Sequence, residues 1–580
     1  MDAGGTAFWL PVGEHAVAAV LHRPPGPSLS TGVLLLPPFG WEETASHRSV
    51  RRWADELALE GHPTLRLDWP CTGDSSGAGS QPGQWDAWTQ TVDAAAECLR
   101  QRTGCARVTA VGLGLGGLVA LAAAHDGAAV DDLALWGAPA RGRAALRQLQ
   151  ATAALLGEGP AQREQDGLLW VYGYPMPADM QRQLAELVVE RMDLRRPGRR
   201  ILVLDRGTDA ALALALSVPG IGLEVAPGAG YDHFVEHPQE SLLPEPVVRR
   251  VSQWLGREAV AASDLHLPDL PDLPDAVRLP GTSVQERLVE LPSRAGLLRC
   301  VISEPVSGPR ATLTTVLLNS GATRRTGPNR MWVDAARAWA QKGVTVVRLD
   351  LAPLGDSGGH QPSPRPNEGY YADSLLEQVH DALDELARLG LPARVLLAGM
   401  CSSAYMSWQL AVRDPRVVGA VLLNPAFLHY SRRLLVTRAS QDLRKLRVSS
   451  TWLKLVTGRL SRRHVVAVIQ ATATRAAQAS AYRRATRHSR AAVAADVRRL
   501  VDASSRVAIV LGPQEELLRE LQASEHLDAL EHHPYVTVHL LAGAHSDHMF
   551  LAGALRAQAC EILDDVVAEL SRHEQPVALV

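Results

Sequence analysis

Little in this 580-residue chain supports cysteine pairing, a membrane span or a strongly cationic surface. The six cysteines (71, 98, 105, 300, 401 and 560) are scattered, with no C-x-x-C pair. That argues against a disulfide framework or a zinc site, and no metal or cofactor is expected. Apolar runs stop at strand length, so no membrane partner is expected. The start, MDAGGTAFWLPVGEH, lacks a basic region followed by an apolar stretch, so the expectation is no secretory signal and a cytoplasmic setting. Lysine is scarce, and a net charge of -3 argues against a globally basic nucleic-acid binder. With 46% hydrophobic and 21% charged residues, the chain is long and apolar enough for two or three cores.

What is present is one plan written twice. VLLL (33–36) and TVLLN (315–319) each precede a turn and then a helical stretch, SVRRWADELALEG or MWVDAARAWAQKG. Then come TLRLDWPCTGDSSG and VVRLDLAPLGDSGG, which share R-L-D-x-x-x-x-G-D-S. VTAVGLGLGGLVALAAA (108–124) matches VLLAGMCSSAYMSWQLA (395–411), and late in each half stand GAGYDHF (228–234) and GAHSDHM (543–549). Short apolar runs alternating with helical segments imply an α/β fold: in each half a mainly parallel sheet flanked by helices, opened by a hairpin. The expected domains are 1–258 and 283–580. Between them, 259–282 carries a Leu-Pro-Asp repeat that reads as a semi-rigid linker.

A strand–turn–helix elbow, G-x-Nu-x-G, lifts a nucleophile above a sheet. In the second half, Gly399-Met400-Cys401-Ser402-Ser403 follows RVLLA, with Cys401 at the apex and Ser403 in place of the last glycine. A thiolate there is intrinsically nucleophilic, and a helix N-terminus favours it. Ser402 and Ser403 are weaker candidates because they lie on the helix. In the first half the frame reads Gly112-Leu113-Gly114-Leu115-Gly116, and Gly114 has no side chain to attack with. The first half is therefore read as a degenerate domain with a structural or docking role. Nothing in the spacing favours Ser75, Ser76 or Cys71 as a displaced nucleophile.

These motifs resemble the α/β-hydrolase superfamily over nearly all of both halves. The cysteine elbow is similar to those of dienelactone hydrolases and polyester synthases. The tandem pattern, with S-H-R early in the first half and G-P-N-R in the second, resembles serine-aminopeptidase-like hydrolases of natural-product gene clusters. The resemblance implies acyl chemistry, and a fold shared by many reactions leaves the substrate open. It also implies a base on the loop after the last strand. The D-H aligned between the halves points to His548, with His545 as the alternative. The acid should follow the preceding strand, where Gly512-Pro513-Gln514-Glu515-Glu516 puts Glu515 first and Glu516 second. Asn424, after the earlier strand, cannot act as a carboxylate. The first half keeps Asp205 or Asp209 with His233, and no nucleophile to serve. Oxyanion donors are expected at the amides of Ser402 and Ala322. Asn329 and Arg330 are candidate contacts for a substrate carboxylate or phosphate, with helix capping as the alternative. Because R-L-D-x-x-x-x-G-D-S survives in the inactive half, Asp68, Asp74, Asp350 and Asp356 read as a structural loop clamp.

Residues 430–500 hold seventeen Lys and Arg against two acids, Asp442 and Asp496. The stretch 428–505 reads as a helical basic lid. A cationic lid suits an acyl substrate carried on coenzyme A or an acyl carrier protein; neutralisation against the acidic remainder of the chain is the alternative. The leading expectation is a Cys-His-Glu acyltransferase or hydrolase (thioesterase or esterase), with a homodimer as the candidate assembly. The other is a tandem pseudo-hydrolase that binds a partner or ligand.

Overall fold

The computed structural model describes residues 5–155, 167–257, 272–359, 369–430, 491–500, 505–513, 515–523, 526–543 and 553–572. The chain forms two compact units. One comprises Met1–Gln361, Glu377–Ala393 and Met549–Val580; the other comprises Pro362–Leu376 and Arg394–His548.

The first unit contains a complete eight-stranded sheet. Its strands are β1 (Gly5–Val12), β2 (His15–His22), β3 (Thr31–Leu36), β4 (Thr64–Leu67), β5 (Arg107–Leu113), β6 (Asp132–Trp136), β9 (Arg200–Asp205) and β10 (Gly222–Pro227). They run in the order β1-β2-β4-β3-β5-β6-β9-β10. The opening hairpin is antiparallel and docks antiparallel on β4; every later pairing is parallel. All six residues of β3 are buried. An apolar run without alternation is what a strand covered on both faces requires. A small antiparallel ribbon, β7 (Leu169–Val171) with β8 (Tyr174–Met176), stands apart from the sheet.

The same unit holds five second-half strands: β11 (Ala276–Arg278), β12 (Val284–Ser293), β13 (Gly296–Pro305), β14 (Leu313–Leu318) and β15 (Thr345–Leu349), in the order β11-β12-β13-β15-β14. Here the reading of 259–282 as a linker needs correcting. Its Leu-Pro-Asp portion lies mostly outside the described residues, but Ala276–Arg278 pairs antiparallel with Gln285–Arg287 as an edge strand. Just before it, the carbonyl of Pro274 accepts the Trp9 amide at 2.8 Å. Proline removes donors and leaves the carbonyls usable, so a proline-rich approach can still dock at a sheet edge. The second unit holds β16 (Arg394–Met400), β17 (Val417–Leu423), β18 (Arg506–Leu511) and β19 (Val536–Leu540), of which β16–β17, β17–β18 and β18–β19 pair in parallel.

The repeated R-L-D-x-x-x-x-G-D-S explains how the first unit is fastened. Within each copy the first aspartate clamps its own loop. Asp68 Oδ2 accepts the Asp74 amide at 2.8 Å and Asp350 Oδ2 accepts the Asp356 amide at 2.9 Å. Ser75 and Ser357 donate to the carbonyls of Asp68 and Asp350 at 2.8 and 2.7 Å. Between copies the pairing is reciprocal: Arg66 meets Asp356 at 2.7 Å, and its counterpart Arg348 meets Asp74. Residue i on j and j on i is the signature of a pseudo-two-fold contact.

Around that exchange, Arg324 grips Asp68 with two bonds of 2.9 Å, and Arg325 reaches Asp74, Asp350 and Asp356 at 2.8, 2.6 and 2.8 Å. Arg348 and Arg337 hold buried Glu286 at 3.0 and 2.7 Å. His47 bridges Glu43 and Asp356 at 3.1 and 3.0 Å. Burial opposes the charged forms of Asp74, Asp356, Glu286, Glu43 and Asp350. The arginines outweigh that cost at Asp74, Asp356, Glu286 and Glu43, whose carboxyls fall below their ordinary range. At Asp350 burial wins and the carboxyl is pushed up. Such a network owes its worth to completeness: removing one partner strands a buried charge at about 3–5 kcal/mol.

Candidate active site

Both elbows are built the same way. In the first half, β5 ends at Leu113, Gly114 turns with φ 51° and ψ -123°, and the helix Leu115–His125 begins. In the second, β16 ends at Met400, Cys401 turns with φ 58° and ψ -110°, and the helix Ser402–Ala411 begins. Each apex amide donates at 2.9 Å to the last residue of the neighbouring strand, Gly114 to Trp136 and Cys401 to Leu423. Each helix passes so close that a Cβ on Gly112 or Gly399 would come within 2.4 Å of its backbone. A positive φ suits glycine and strains any other residue, by about 1–3 kcal/mol. Cys401 carries that strain where Gly114 avoids it.

The apex thiol is partly exposed. Tyr371 Oη lies 4.0 Å from its Sγ. Tyr371 belongs to an aromatic wall: it stacks on Tyr430 with centroids 4.8 Å apart and meets Phe427 and Tyr405 edge-on at 5.4 and 5.5 Å. Sequence reasoning missed this wall, because Tyr371 lies 30 residues upstream of the elbow and no motif marks it. Ser403 turns its hydroxyl back on the elbow, donating to the Met400 carbonyl at 3.0 Å and accepting its amide at 2.9 Å, and so stabilises the bend. Ser402 is buried at the first helical position. Burial raises the other thiols: Cys71 and Cys560 are pushed up to about 11, Cys300 to about 12, and Cys98 and Cys105 also upward.

Of the remaining site residues, Glu515 and Glu516 share the second compact unit with Cys401 and Ser402. Glu515 is buried just before the helix Glu516–Ala523, while Glu516 is exposed on its first turn. Asn424 ties the strand ends together: its amide donates to Val510 at 2.8 Å and its Oδ1 accepts the Gly512 amide at 2.7 Å. His548 and His545 lie outside the described residues, as do 431–490 and 501–504 of the expected lid; 491–500 is helical.

Ala322, Asn329 and Arg330 belong to the first unit. Ala322 sits in a buried turn where Thr323 N donates to the Ser320 carbonyl at 2.8 Å. The reading of Arg330 as a substrate contact is corrected. Its buried guanidinium donates to the carbonyls of Gly73, Ser75 and Gly77 at 2.8, 2.6 and 2.8 Å, so it holds the first-half loop. Asn329 is buried beside it with φ 50° in the turn Pro328–Arg330. Through Arg330, the G-P-N-R motif takes part in the fastening between the two copies.

In the first half, the space a side chain at Gly114 would need is filled. A Cβ on Gly114 would stand 2.3 Å from Tyr231 Oη and 2.8 Å from Glu42 Oε2. Tyr231 donates to Glu42 at 2.9 Å, and Trp136 packs edge-on against its ring. Burial raises both the Glu42 carboxyl and the Tyr231 phenol. His233 points its ring at Glu236, 3.4 Å away and largely in solvent, while Asp209 pairs with Arg206.

No helix among the described residues is long and apolar enough to cross a membrane, and no group of metal-ligating side chains occurs among them. Solved structures similar to the chain include Est1E from Butyrivibrio proteoclasticus with ferulic acid bound (17% identity, 43% of this chain and 99% of that one, TM-score 0.35). Others are a dienelactone hydrolase from Anabaena variabilis (14%, 50% and 98%, 0.31) and an alpha-beta serine hydrolase homologue from Coxiella burnetii (13%, 49% and 96%, 0.28). Scores this low carry no argument about mechanism. No curated protein matches the chain. Residues 33–245 match the model of the Alpha/beta hydrolase family, and that stretch has an α/β architecture.

Proposed function

We propose that the second half is an acyl-transfer enzyme with Cys401 as nucleophile. The single observation that carries this reading is a cysteine held at a strained apex, partly exposed, where the first half tolerates only glycine. In the proposed reaction His548 takes the thiol proton and Glu515 orients the imidazole. The thiolate forms a bond to the carbonyl carbon of an ester or thioester, and the leaving group departs with the proton from the imidazolium. The amide of Ser402 would stabilise the oxyanion. Water or an amine or alcohol then takes the acyl group from sulfur and gives its proton to His548, restoring the thiol. A thioester intermediate is attacked readily by amines, which suits transfer as well as hydrolysis. The aromatic wall around Tyr371 supports an acyl or aryl group beside the sulfur. The basic stretch 430–500 supports a donor carried on coenzyme A or an acyl carrier protein. Natural-product assembly in the cytoplasm is the setting this reading favours.

The test is intact-protein mass spectrometry after incubation with a panel of acyl thioesters. An acyl adduct that disappears in Cys401→Ala is expected. No adduct from any donor, or one that persists in the variant, would reject the cysteine mechanism and favour a pseudo-hydrolase that only binds.

A further inference from the structure

The first half has glycine at its elbow apex and a chamber beside it. A cavity of about 370 Å³ opens at Gly114, inside the first unit. That lies within the size range of small-molecule sites, about 300–1,000 Å³. Its walls are mostly apolar, formed by Trp41, Leu115, Ala138, Ala145, Leu149 and Leu212. Of its polar groups, Glu42, Tyr231, Arg206 and Asp209 are linked beside Gly114, while Arg141, Gln148, Thr152 and Thr208 also line it. Arg206 lies over the Tyr231 ring, 5.2 Å from its centroid, and grips Asp209 with Nε and Nη2. Its Nη1 has no partner among the described residues, and neither has Glu42 Oε1, because Tyr231 engages only Oε2.

This chemistry selects a ligand class. Burial holds the Glu42 carboxyl toward its neutral form. Arg206 presents the N–H groups of Nη1 to the chamber, and Glu42, when protonated, would add an O–H at Oε1. Both are donors, so the head group must accept.

We infer that the chamber of the first half binds a carboxylic acid or its ester, with an apolar chain along the Leu115–Leu149 wall and its carbonyl toward Glu42 and Arg206, and holds it without reaction. The inference is independent of the chemistry at Cys401. A nucleophile cannot simply be restored, because the space its side chain needs is occupied by the Tyr231–Glu42 pair. The first half would then act as a reader of acyl compounds fused to the second.

The experiment uses the full chain carrying Cys401→Ala, so that no covalent adduct confuses the readout. Titration calorimetry with saturated fatty acids from hexanoic to dodecanoic should show binding that includes one site sensitive to Ala145→Trp. That substitution fills the chamber from a partly exposed helix position and should weaken the site at least tenfold. A diazirine-bearing fatty acid, photolysed on the same protein, should label Trp41 or the helix Gly142–Leu155. Absence of binding, affinity unchanged by Ala145→Trp, or labels confined to other parts of the chain would overturn the inference. If Ala145→Trp fails to fold, the label map alone decides. Failure here would leave the acyl-adduct test at Cys401 standing, and the reverse holds as well.

Discussion

Two elbows of one design meet opposite fates in this chain. At 114 the apex is glycine, free of strain, and the space above it is taken by Tyr231 and Glu42. At 401 the apex is a cysteine in the same turn, strained and partly exposed, beside an aromatic wall. The backbone can therefore be kept for its packing alone, since both copies need the close helix–strand approach at Gly112 and Gly399. A strained non-glycine residue at the apex is the part that packing does not require. Strain retained without a structural return points to use.

The comparison can be broken first at the fastening the copies share. Asp74→Asn leaves Arg325 and Arg348 facing a neutral amide in the interior and should cost about 3–5 kcal/mol in urea unfolding, whereas Arg52→Ala at an exposed helical pair should cost under about 1 kcal/mol. The same groups set the acid response. The carboxyls of Asp74, Asp356, Glu286 and Glu43 are depressed in the fold, so their stabilisation is present above the ordinary carboxylate range, near pH 4, and is lost as pH falls through the folded values. Asp350, shifted the other way, offsets part of this. Melting temperature against pH should fall steeply on the acid side in the native chain and less steeply in Asp74→Asn.

At the elbows, Gly114→Ser should destabilise by about 1–3 kcal/mol through overpacking against Tyr231, and should yield no acyl adduct at position 114. Cys401→Gly should do the reverse, stabilising by about 1 kcal/mol as the positive φ is relieved while abolishing the adduct. Equal effects of the two substitutions on stability would erase the contrast between the elbows.

Much of this was legible in the sequence. Apolar runs and turns located the strands of both copies, and the presence of R-L-D-x-x-x-x-G-D-S beside a glycine apex as well as a cysteine apex marked it as structural. The exchange of Arg66 and Arg348 between copies was not legible, because it depends on how the two loops face one another. Arg330 was misjudged for the same reason: a basic residue near the oxyanion turn looks like a substrate contact until its carbonyl partners, more than 250 residues away, are known. Linker 259–282 misled because proline counts against a strand interior and says little about an edge. Tyr371 and the Tyr231–Glu42 pair carry no motif; only the fold brings them to the elbows.

Catalysis at 401 requires a thiol set apart from the other five. Iodoacetamide at neutral pH, followed by peptide mass mapping over time, measures this directly. Burial raises the thiols at 71, 98, 105, 300 and 560 and should keep them slow. One fast, stoichiometric label on Cys401 is the predicted result; labelling of Cys401 no faster than the rest would contradict it.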